Sequence, residues 1–383
     1  MKIFYIANHQ LPTTKAHGLQ IMKMCEAFRA NGADCELVIP KRLIDPGISE
    51  LDPFLFYGVK KVFKITYLNS FDFIKWGSGW LGRPLFWLQQ LSFGYSARRY
   101  LKNKDGIIYS RDPFSLYAFS GTSFKLYWEA HNFPSNINSK FYKDILKRIN
   151  GLIVISEGLK NKFSQFYNKE ILLASDAVDV GEFDINISQK DARTKLNLPL
   201  DKKIAMYVGH LYKWKGVDIL IKAAKFLKDN ELIIIVGGLK EDREFFFSAI
   251  PERCGNKVRF IDYVAHNMVP IYLKSADCLI LTGKSSEVIS RQYTSPLKLF
   301  EYMVSKRPII AQNLPSFREI LNSDNAILIE PDNSEKLAEG MWSAFYRQDL
   351  AERTSKNAFE MVRNITWNGR AIKICDYLEG LAK

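Results

Sequence analysis

Thr294-Ser295-Pro296-Leu297-Lys298-Leu299-Phe300-Glu301-Tyr302-Met303 has the features of a helix start, and the apolar run Cys278-Leu279-Ile280-Leu281-Thr282 precedes it. Ser295 is a favourable N-cap residue and Pro296 suits the first helical position, so we predict that a helix begins here. The run is apolar on both faces, which predicts a buried strand of a parallel sheet. The loop between strand and helix then opens at the carboxyl end of the sheet, where open α/β sheets bind ligands.

A helix start at this place favours an anionic ligand. The first backbone N–H groups of a helix have no intrahelical partner, and phosphate groups bind to them readily. Glu301 lies about one and a half turns further along, where its carboxylate is placed to accept a hydrogen bond from a sugar hydroxyl. Each residue also has an ordinary explanation, because Ser-Pro starts many helices and Glu301 would suit the solvent face of an amphipathic helix.

The composition bounds the class of protein. A chain of 383 residues, 47% of them apolar and 25% charged, is long enough for two globular domains. No run reaches the length of a membrane span, and the apolar start at residues 1–7 is followed at once by polar residues, unlike a signal peptide. The five cysteines are scattered without metal-ligand spacing, mostly within apolar runs, which fits buried thiols in a reducing compartment. We therefore predict a cytoplasmic protein.

Short apolar runs alternate with helical spans along the chain, which predicts parallel sheets covered on both faces. The alternation lapses between about residues 174 and 202, in polar and acid-rich sequence, and then resumes. We predict an α/β protein with two Rossmann-like, doubly wound domains, at residues 1–180 and 203–365. Residues 181–202 are the predicted hinge, and residues 366–383 a C-terminal helix that packs back on the first domain.

Several catalytic signatures are absent from the sequence: the P-loop, a G-x-G-x-x-G motif after a strand, H-E-x-x-H, G-x-S-x-G, and an Asp-x-Asp pair for a divalent ion. Their absence argues against a P-loop kinase, a dinucleotide dehydrogenase and a zinc protease. The segment 208–216 ends a predicted strand and opens a helix, so Lys215 is placed to neutralise a diphosphate that would otherwise need a metal. A solvated lysine in the first turn of the helix is an alternative of equal weight.

Motifs spread over nearly the whole chain resemble one family. They are Gly209-(five residues)-Lys215-Gly216-Val217-Asp218, the stretch 295–303, Leu314-Pro315-Ser316-Phe317-Arg318-Glu319-Ile320, Glu129-Ala130-His131-Asn132, and Val154-Ile155-Ser156-Glu157-Gly158-Leu159 followed by Ala177-Val178-Asp179. Together they are similar to retaining glycosyltransferases of family 4, the "group 1" sugar transferases of the GT-B fold. That resemblance implies two Rossmann-like domains facing across a cleft, with a nucleotide-sugar as the donor substrate.

The resemblance also implies roles for individual residues. Lys215 pairs with the donor diphosphate, Ser295 and Leu297 offer it backbone N–H groups, and Glu301 binds the ribose. Gly18 lies close to the donor phosphates, and His131 lies near the donor sugar and the acceptor. The full donor-binding set comprises Gly18, Gly209, His210, Lys215, Ser295, Leu297, Lys298 and Glu301, and the catalytic set comprises His131, Lys215 and Glu301. The resemblance implies a reaction that needs neither a metal nor another cofactor, in which the leaving phosphate helps to deprotonate the acceptor hydroxyl.

Two positions depart from the family pattern. His210 stands where the family usually has arginine, which replaces a permanent charge by a group that is mostly neutral near pH 7. Tyr293 stands where an acidic residue normally touches the hexose, so Glu287 or Arg291 in the same loop are the candidates for the donor-sugar contact. The remaining histidines His9, His17 and His266 lack a motif, and we expect them at the surface.

Basic and aromatic residues interleave between residues 54 and 104, and residues 1–180 carry 24 basic against 15 acidic residues. Half of these rings are expected to pack in the core of the first domain. The rest suit a surface that docks on an anionic membrane presenting a lipid-linked acceptor. The residues of this predicted surface are Trp76, Trp80, Arg83, Trp87, Arg98 and Arg99. Nucleic acid is a weaker prediction, because no RNA- or DNA-binding motif accompanies the charge.

The sequence therefore predicts a cytoplasmic, metal-independent, retaining glycosyltransferase, peripheral on the inner face of the membrane, that passes a sugar to a glycan or lipid-linked saccharide in surface polysaccharide or glycolipid synthesis. Two alternatives stay open. A nucleotide-sugar epimerase of the GT-B type would act on the donor without an acceptor. A non-catalytic binding or scaffold protein would explain why His210 and Tyr293 replace the usual residues.

Overall fold

The structure, a computed structural model, describes residues 1–42, 46–71 and 82–380. It divides into two compact units. The first comprises Met1–Asp176 and Trp367–Lys383, and the second comprises Ala177–Thr366. Within the described residues, no helix is both long and apolar enough to cross a lipid bilayer.

The first unit is a seven-stranded parallel sheet covered by helices. Its strands are β1 (Lys2–Ile6), β2 (Asp34–Pro40), β3 (Lys64–Leu68), β4 (Ile107–Ser110), β5 (Lys125–Ala130), β6 (Gly151–Val154) and β7 (Ile171–Leu173), in the order β3-β2-β1-β4-β5-β6-β7. Its helices are α1 (Ala16–Ala30), α2 (Pro46–Ser49), α3 (Pro53–Tyr57), α4 (Gly82–Leu101), α5 (Pro113–Ala118), α6 (Lys140–Arg148), α7 (Glu157–Phe163) and α17 (Trp367–Glu379).

The second unit is a six-stranded parallel sheet. Its strands are β8 (Lys203–Val208), β9 (Glu231–Val236), β10 (Val258–Ile261), β11 (Cys278–Leu281), β12 (Ile309–Gln312) and β13 (Ile327–Ile329), in the order β10-β9-β8-β11-β12-β13. Its helices are α8 (Val180–Phe183), α9 (Gln189–Lys195), α10 (Val217–Ala223), α11 (Lys240–Phe247), α12 (Val269–Ser275), α13 (Leu297–Val304), α14 (Pro315–Arg318), α15 (Ser334–Tyr346) and α16 (Gln348–Val362). The strand order reverses between β8 and β11, which makes the loops after these two strands the ligand-binding position of a doubly wound sheet.

The prediction of two Rossmann-like α/β units is confirmed. The central strands are buried on both faces because helices cover both sides of each sheet, which is why their sequences are apolar runs rather than alternating patterns. The last helix, α17, belongs to the first unit and packs against α1. Tyr127 donates its hydroxyl to the carbonyl of Leu378 at 3.0 Å, which ties this helix to strand β5.

Residues 181–202, for which we predict a hinge, are part of the second unit and contain helix α9. Arg193 of this helix donates to the carboxylate of Asp277 at 2.6 Å and to the carbonyl of Ser275 at 2.8 Å. The segment therefore looks like a linker in sequence although Arg193 ties it to distant residues of the second unit.

The basic stretch of the first unit contains a strand, β3, that the sequence analysis does not predict. Glu36 on the neighbouring strand β2 lies 3.3 Å from Lys64 and 3.5 Å from Lys104, and it accepts a hydrogen bond from Tyr100. Hydrogen bonds and the two lysines outweigh the effect of burial and lower the pKa of Glu36. Part of the basic charge therefore neutralises a carboxylate within the fold.

Candidate functional site

The loops after β8 and β11 pack directly on each other. Gly216 adopts a left-handed conformation with φ of 68°, and a Cβ atom there would lie 2.8 Å from the carbonyl oxygen of Gly283. Any side chain at this position would therefore separate the loops. Thr282, at the end of β11, donates its hydroxyl to the carbonyl of Lys215 at 2.7 Å, so the two loops are also joined by a hydrogen bond.

Lys215 ends a short 3₁₀ turn, Lys213–Lys215, instead of lying in the first turn of α10. Its ammonium group lies 3.9 Å from the ring centre of Trp214. Burial lowers the pKa of Lys215 to about 7. The solvated lysine that the sequence analysis weighed as an alternative is therefore not what the structure shows.

Helix α13 begins one residue later than predicted. Pro296 has an extended backbone with φ of −77° and ψ of 125° and occupies the N-cap position, so Ser295 is not the N-cap. Proline has no side-chain acceptor for the first turn, and the N–H groups of Leu297 and Lys298 start the helix. The N-cap side chain of α13 therefore accepts no hydrogen bond from the first turn.

Lys298 contributes a second ammonium group near the first. Its Nζ atom is buried without a hydrogen-bond partner among the described residues and lies 3.5 Å from the ring centre of Tyr207. Burial and then the charge of Lys215 hold the pKa of Lys298 well below its usual range, and Glu301 opposes them only in part. Lys215 and Lys298 therefore bring together two ammonium groups that repel each other. A bound anion would relieve this repulsion.

Gly209 lies beside Lys298. Its φ of 132° lies outside the range that side chains favour, and a Cβ atom built there would lie 3.9 Å from the Nζ of Lys298. His210 follows it and stacks on Tyr212, with ring centroids 5.1 Å apart. Tyr207 donates its hydroxyl to the carbonyl of His210 at 2.8 Å.

Glu301 lies on α13 as predicted, but it is held by a residue that the sequence analysis placed at the surface. His266 Nε2 lies 3.4 Å from Glu301 Oε1, and His266 Nδ1 lies 2.9 Å from Glu182 Oε1. Burial opposes a charge on His266, but the hydrogen bonds and charges of the two carboxylates outweigh it and raise its pKa to about 9. The surface expectation for His266 is wrong. Its place just after the carboxyl end of β10 is the signal that could have found it.

The three residues predicted to contact the donor sugar share the loop after β11. Tyr293 ends a π-helical turn, Ile289–Tyr293, a feature that is frequent at functional sites. Arg291 lies in this turn and donates to the carbonyl of Ser285 at 2.8 Å, whereas Glu287 is exposed. Which of them contacts a sugar stays a prediction.

In the first unit, His131 follows strand β5 and its Nε2 lies 2.6 Å from Glu129 Oε1. Burial and then the charge of Arg111 lower the pKa of His131 to about 4 despite Glu129, so its ring is neutral near pH 7. Gly18 lies in the first turn of α1, where a Cβ atom would come 2.1 Å from the hydroxyl of Tyr57. Glycine is therefore required there by packing alone.

His9 and His17 are also not surface residues. Both are half-buried, and their rings stack with centroids 4.3 Å apart. Trp76 and Trp80 lie outside the described residues, as does the side chain of Arg83. Over the described part of the chain, no group of three or more His, Cys, Asp or Glu side chains could hold a metal ion.

Comparisons with known proteins agree with the fold. Residues 188–361 match the family model of glycosyl transferases group 1. The chain is 22% identical over 228 residues to an uncharacterised glycosyltransferase of Methanocaldococcus jannaschii, covering 55% of each. It is 22% identical over 225 residues to a Bacillus subtilis protein provisionally described as a teichuronic acid biosynthesis glycosyltransferase, covering 58% of this chain and 54% of that one. The chain thus spans about half the length of the curated relatives it matches.

Solved structures match over the whole length. A sucrose-phosphate synthase from Thermosynechococcus elongatus superposes with a TM-score of 0.78 at 18% identity, over 100% of this chain and 99% of that one. Anabaena HepE in complex with UDP-glucose superposes with a TM-score of 0.75 at 16% identity, over 100% of both. These matches confirm the predicted GT-B fold. The match to the group 1 glycosyltransferase model lies within the second unit, and membership of family 4 stays a prediction.

Proposed function

We propose that the protein is a metal-independent, retaining glycosyltransferase that moves a sugar from a nucleoside diphosphate sugar to a glycan or lipid-linked saccharide in the synthesis of surface polysaccharide or glycolipid. The proposal rests mainly on the pocket of Lys215 and Lys298 beside the opening of α13. Two desolvated ammonium groups and a helix start favour a diphosphate, and they lie at the switch point of a doubly wound sheet. The relatives described as glycosyltransferases, and HepE with its bound UDP-glucose, support the same substrate class.

In such a reaction, negative charge develops on the diphosphate as the bond to the sugar breaks. Lys215 and Lys298 act on that charge from positions where burial lowers the pKa of both, so electrostatic stabilisation is stronger there than in bulk water. Correct placement of donor and acceptor supplies a further part of the rate. No side chain of the protein has to form a covalent intermediate, since the departing phosphate accepts the proton of the acceptor hydroxyl.

Glu301 would bind the ribose of the nucleotide. His266 occupies its Oε1 atom and, as an imidazolium, donates to Glu182 on the other side. His266 thereby holds the carboxylate of Glu301 in place, and the other oxygen of that carboxylate, Oε2, accepts a hydrogen bond from a ribose hydroxyl. We therefore assign His266 a positioning role toward Glu301.

A melting-temperature panel with UDP, GDP, ADP and dTDP tests the proposed donor site. A ligand that binds only the folded protein raises the melting temperature, and we expect at least one of the four to do so. In the variant Glu301→Ala, the affinity for that nucleotide should fall about 10- to 100-fold, because a hydrogen bond to a charged group is lost. Glu339→Ala, at an exposed carboxylate of α15, is the matched control and should bind as the wild type does.

Two results would contradict the proposal, one from this panel and one from incubating the protein with a nucleotide-sugar alone. If none of the four nucleotides raised the melting temperature, a scaffold protein would be the better conclusion. If a nucleotide-sugar were converted to its epimer without any acceptor, the protein would be an epimerase. Unchanged affinity in Glu301→Ala would remove the ribose assignment alone.

We also propose that the protein is cytoplasmic and docks peripherally on an anionic membrane through helix α4. Its residues Trp87, Leu88, Leu91 and Tyr95 are 45%, 45%, 66% and 67% exposed, and Arg98 and Arg99 follow them with exposed side chains. Other rings of this stretch, Phe54, Phe63 and Phe93, are buried in the core. An apolar helix face with arginines at its end suits the boundary between lipid headgroups and acyl chains. All five cysteines are free thiols, in line with a reducing compartment.

Flotation with lipid vesicles tests the membrane surface. We expect binding to vesicles that contain anionic lipid and weak binding to neutral ones. Leu91→Glu with Tyr95→Glu should lower the bound fraction at least tenfold, because each apolar side chain contributes about 1.5–3 kcal/mol on burial. Leu200→Glu, at a leucine of the second unit that is 55% exposed, is the control. Equal binding to both kinds of vesicle, or to neither, would argue against this surface.

A further inference from the structure

His266 is held between two carboxylates from different helices of the second unit. Its Nδ1 atom lies 2.9 Å from Glu182 Oε1 on α8, and its Nε2 atom lies 3.4 Å from Glu301 Oε1 on α13. All three side chains are largely buried, with exposed fractions of 22% for His266, 21% for Glu182 and 12% for Glu301. We call these three side chains the Glu–His–Glu bridge.

The geometry of the Glu–His–Glu bridge requires a charged ring. A neutral imidazole has one N–H group and one acceptor nitrogen, whereas an ionised carboxylate only accepts. With a single proton on the ring, one of the two contacts would bring an acceptor nitrogen against an acceptor oxygen. An imidazolium donates from both nitrogens and satisfies both contacts. His266 therefore carries a positive charge between Glu182 and Glu301.

The charges around the bridge support this state. Burial opposes a charge on His266, but hydrogen bonds to Glu182 and Glu301, together with their charges, outweigh it and raise its pKa to about 9. These carboxylates act on the ring from α8 and from α13. Lys274, on the helix that follows the ring, pairs with Asp184 at 3.9 Å instead. The ring therefore stays charged near neutral pH.

Helix α8 is fixed at the place where it carries Glu182. Phe183 is 2% exposed, and its ring contacts the ring of His266 edge to face, with centroids 5.4 Å apart. Asp184 pairs at 2.7 Å with Lys306, two residues after the end of α13. These contacts fix the position of Glu182 relative to the ring and to α13.

Glu301 has a competing partner on its own helix, Lys298. The two residues are three positions apart on α13, a spacing at which side chains of opposite charge can pair. The Nζ atom of Lys298 nevertheless has no hydrogen-bond partner in the described part of the chain, although the charge of Glu301 acts on it. The Oε1 atom of Glu301 faces His266 instead. The bridge therefore holds the carboxylate back from the lysine.

We propose that Glu182 and His266 are positioning residues for the nucleotide site. By holding the carboxylate of Glu301, they keep it from the ammonium group of Lys298, which is then left for the donor diphosphate. An ion pair between Glu301 and Lys298 would compete with the diphosphate for that ammonium group, and it would also withdraw the carboxylate from the ribose. This inference rests on the proposed function and adds two residues that act on the site through Glu301.

Inorganic pyrophosphate tests this inference, because it lacks the ribose that Glu301 would bind. Its affinity is measured by isothermal titration calorimetry at about pH 6 and about pH 8 for the wild type and for Glu182→Gln. At the higher pH we expect the variant to bind about three- to fivefold more weakly, the strength of one competing ion pair, because His266 loses its proton more readily without Glu182. At the lower pH the loss should be smaller, since Glu301 alone still favours the charged ring. Lys215 also titrates in this range, so the ratio of wild type to variant is compared at each pH.

A second background separates positioning from net charge. In Glu301→Gln the carboxylate that could pair with Lys298 is absent, so the addition of Glu182→Gln should leave the pyrophosphate affinity unchanged. Removal of a carboxylate by itself would strengthen the binding of an anion, which is the opposite of the expected loss. Glu360→Gln, at an exposed carboxylate of α16, is the control and should bind pyrophosphate as the wild type does. Melting temperatures show that each variant is folded.

Three results would overturn the proposal. The first is an absence of pyrophosphate binding in the wild type. The second is an equal or higher affinity in Glu182→Gln at the higher pH. The third is a loss of the same size in the Glu301→Gln background, which would mean that Glu182 acts through the fold rather than through Glu301. The proposed function fails on a different observation, the lack of binding of any nucleoside diphosphate, and the pyrophosphate titrations would then still decide whether the bridge keeps Lys298 available.

Discussion

Replacing Lys298 by methionine should raise the melting temperature of the protein and lower its affinity for the nucleoside diphosphate about 100-fold. The Nζ atom of Lys298 is buried without a hydrogen-bond partner among the described residues. The charged group that acts on it most strongly is another lysine, Lys215. Removing it relieves desolvation and repulsion. Replacing buried charges by apolar groups of similar volume often stabilises proteins by about 1–4 kcal/mol.

The loss of affinity follows from the same geometry. A diphosphate in this pocket would be a desolvated partner of the ammonium group, and truncating one side of such a pair costs about 2–5 kcal/mol. Stability and binding therefore change in opposite directions, as expected of a residue kept for function. A residue that served only the fold would lower both when it was replaced.

Lys222→Met is the matched control, since Lys222 lies on α10 with a side chain that is 68% exposed. It should leave the melting temperature and the nucleotide affinity nearly unchanged. The melting temperature is measured by thermal unfolding with and without the nucleotide, and the nucleotide affinity by isothermal titration calorimetry. Wild-type affinity in Lys298→Met would refute the two-lysine pocket.

A pH series adds a second measurement to this comparison. The pKa of Lys215 is about 7 in the folded protein, below the ordinary lysine value of 10.5. Between these values the unfolded chain binds more protons, so the free energy of unfolding should rise with pH. This rise should persist in Lys298→Met, because burial is what lowers the pKa of Lys215.

Most of the strand pattern follows from local sequence. Runs such as residues 278–281 and 258–261 are apolar on both faces, and this is sufficient to predict buried parallel strands. Strand β3 escapes the same reasoning because its charged residue Lys64 pairs with Glu36 on the neighbouring strand. It also lies at the edge of the sheet, where most of its side chains are only partly buried.

The site residues divide in a similar way. Lys215 and Glu301 belong to motifs whose spacing places them beside a helix start, so they could be named from sequence. The place of His266 after the carboxyl end of β10 marks it as a candidate, but its pairing with Glu182, 84 positions away in the chain, is not contained in any local pattern. Residue preference alone predicts Ser295 as the N-cap. The backbone of Pro296 is extended, so the helix begins one residue later than that preference predicts. A local sequence pattern does not show which distant segments come into contact.

The ion pair between Arg370 and Glu129 illustrates such a contact, and replacing Arg370 by alanine should destabilise the first unit by about 3–5 kcal/mol. The guanidinium Nη2 lies 2.7 Å from Glu129 Oε1, and the two side chains are 3% and 0% exposed. Burial alone would raise the pKa of Glu129, but Arg370 and then His131 outweigh it and hold that pKa well below its usual range. Without Arg370, the fold would bury a carboxylate that has lost its main compensating charge.

Urea unfolding of the full chain measures this loss, with a double variant as the critical comparison. Glu129→Gln together with Arg370→Met removes both charges, so it should recover most of the stability that Arg370→Ala loses. Arg363→Ala, at an exposed arginine of the surface pair with Glu360, should change the free energy of unfolding by no more than about 0.5 kcal/mol. A loss below about 1 kcal/mol in Arg370→Ala would mean that water or Gln20 already compensates Glu129. If instead the double variant proved as unstable as Arg370→Ala, packing of α17 rather than charge would be the cause.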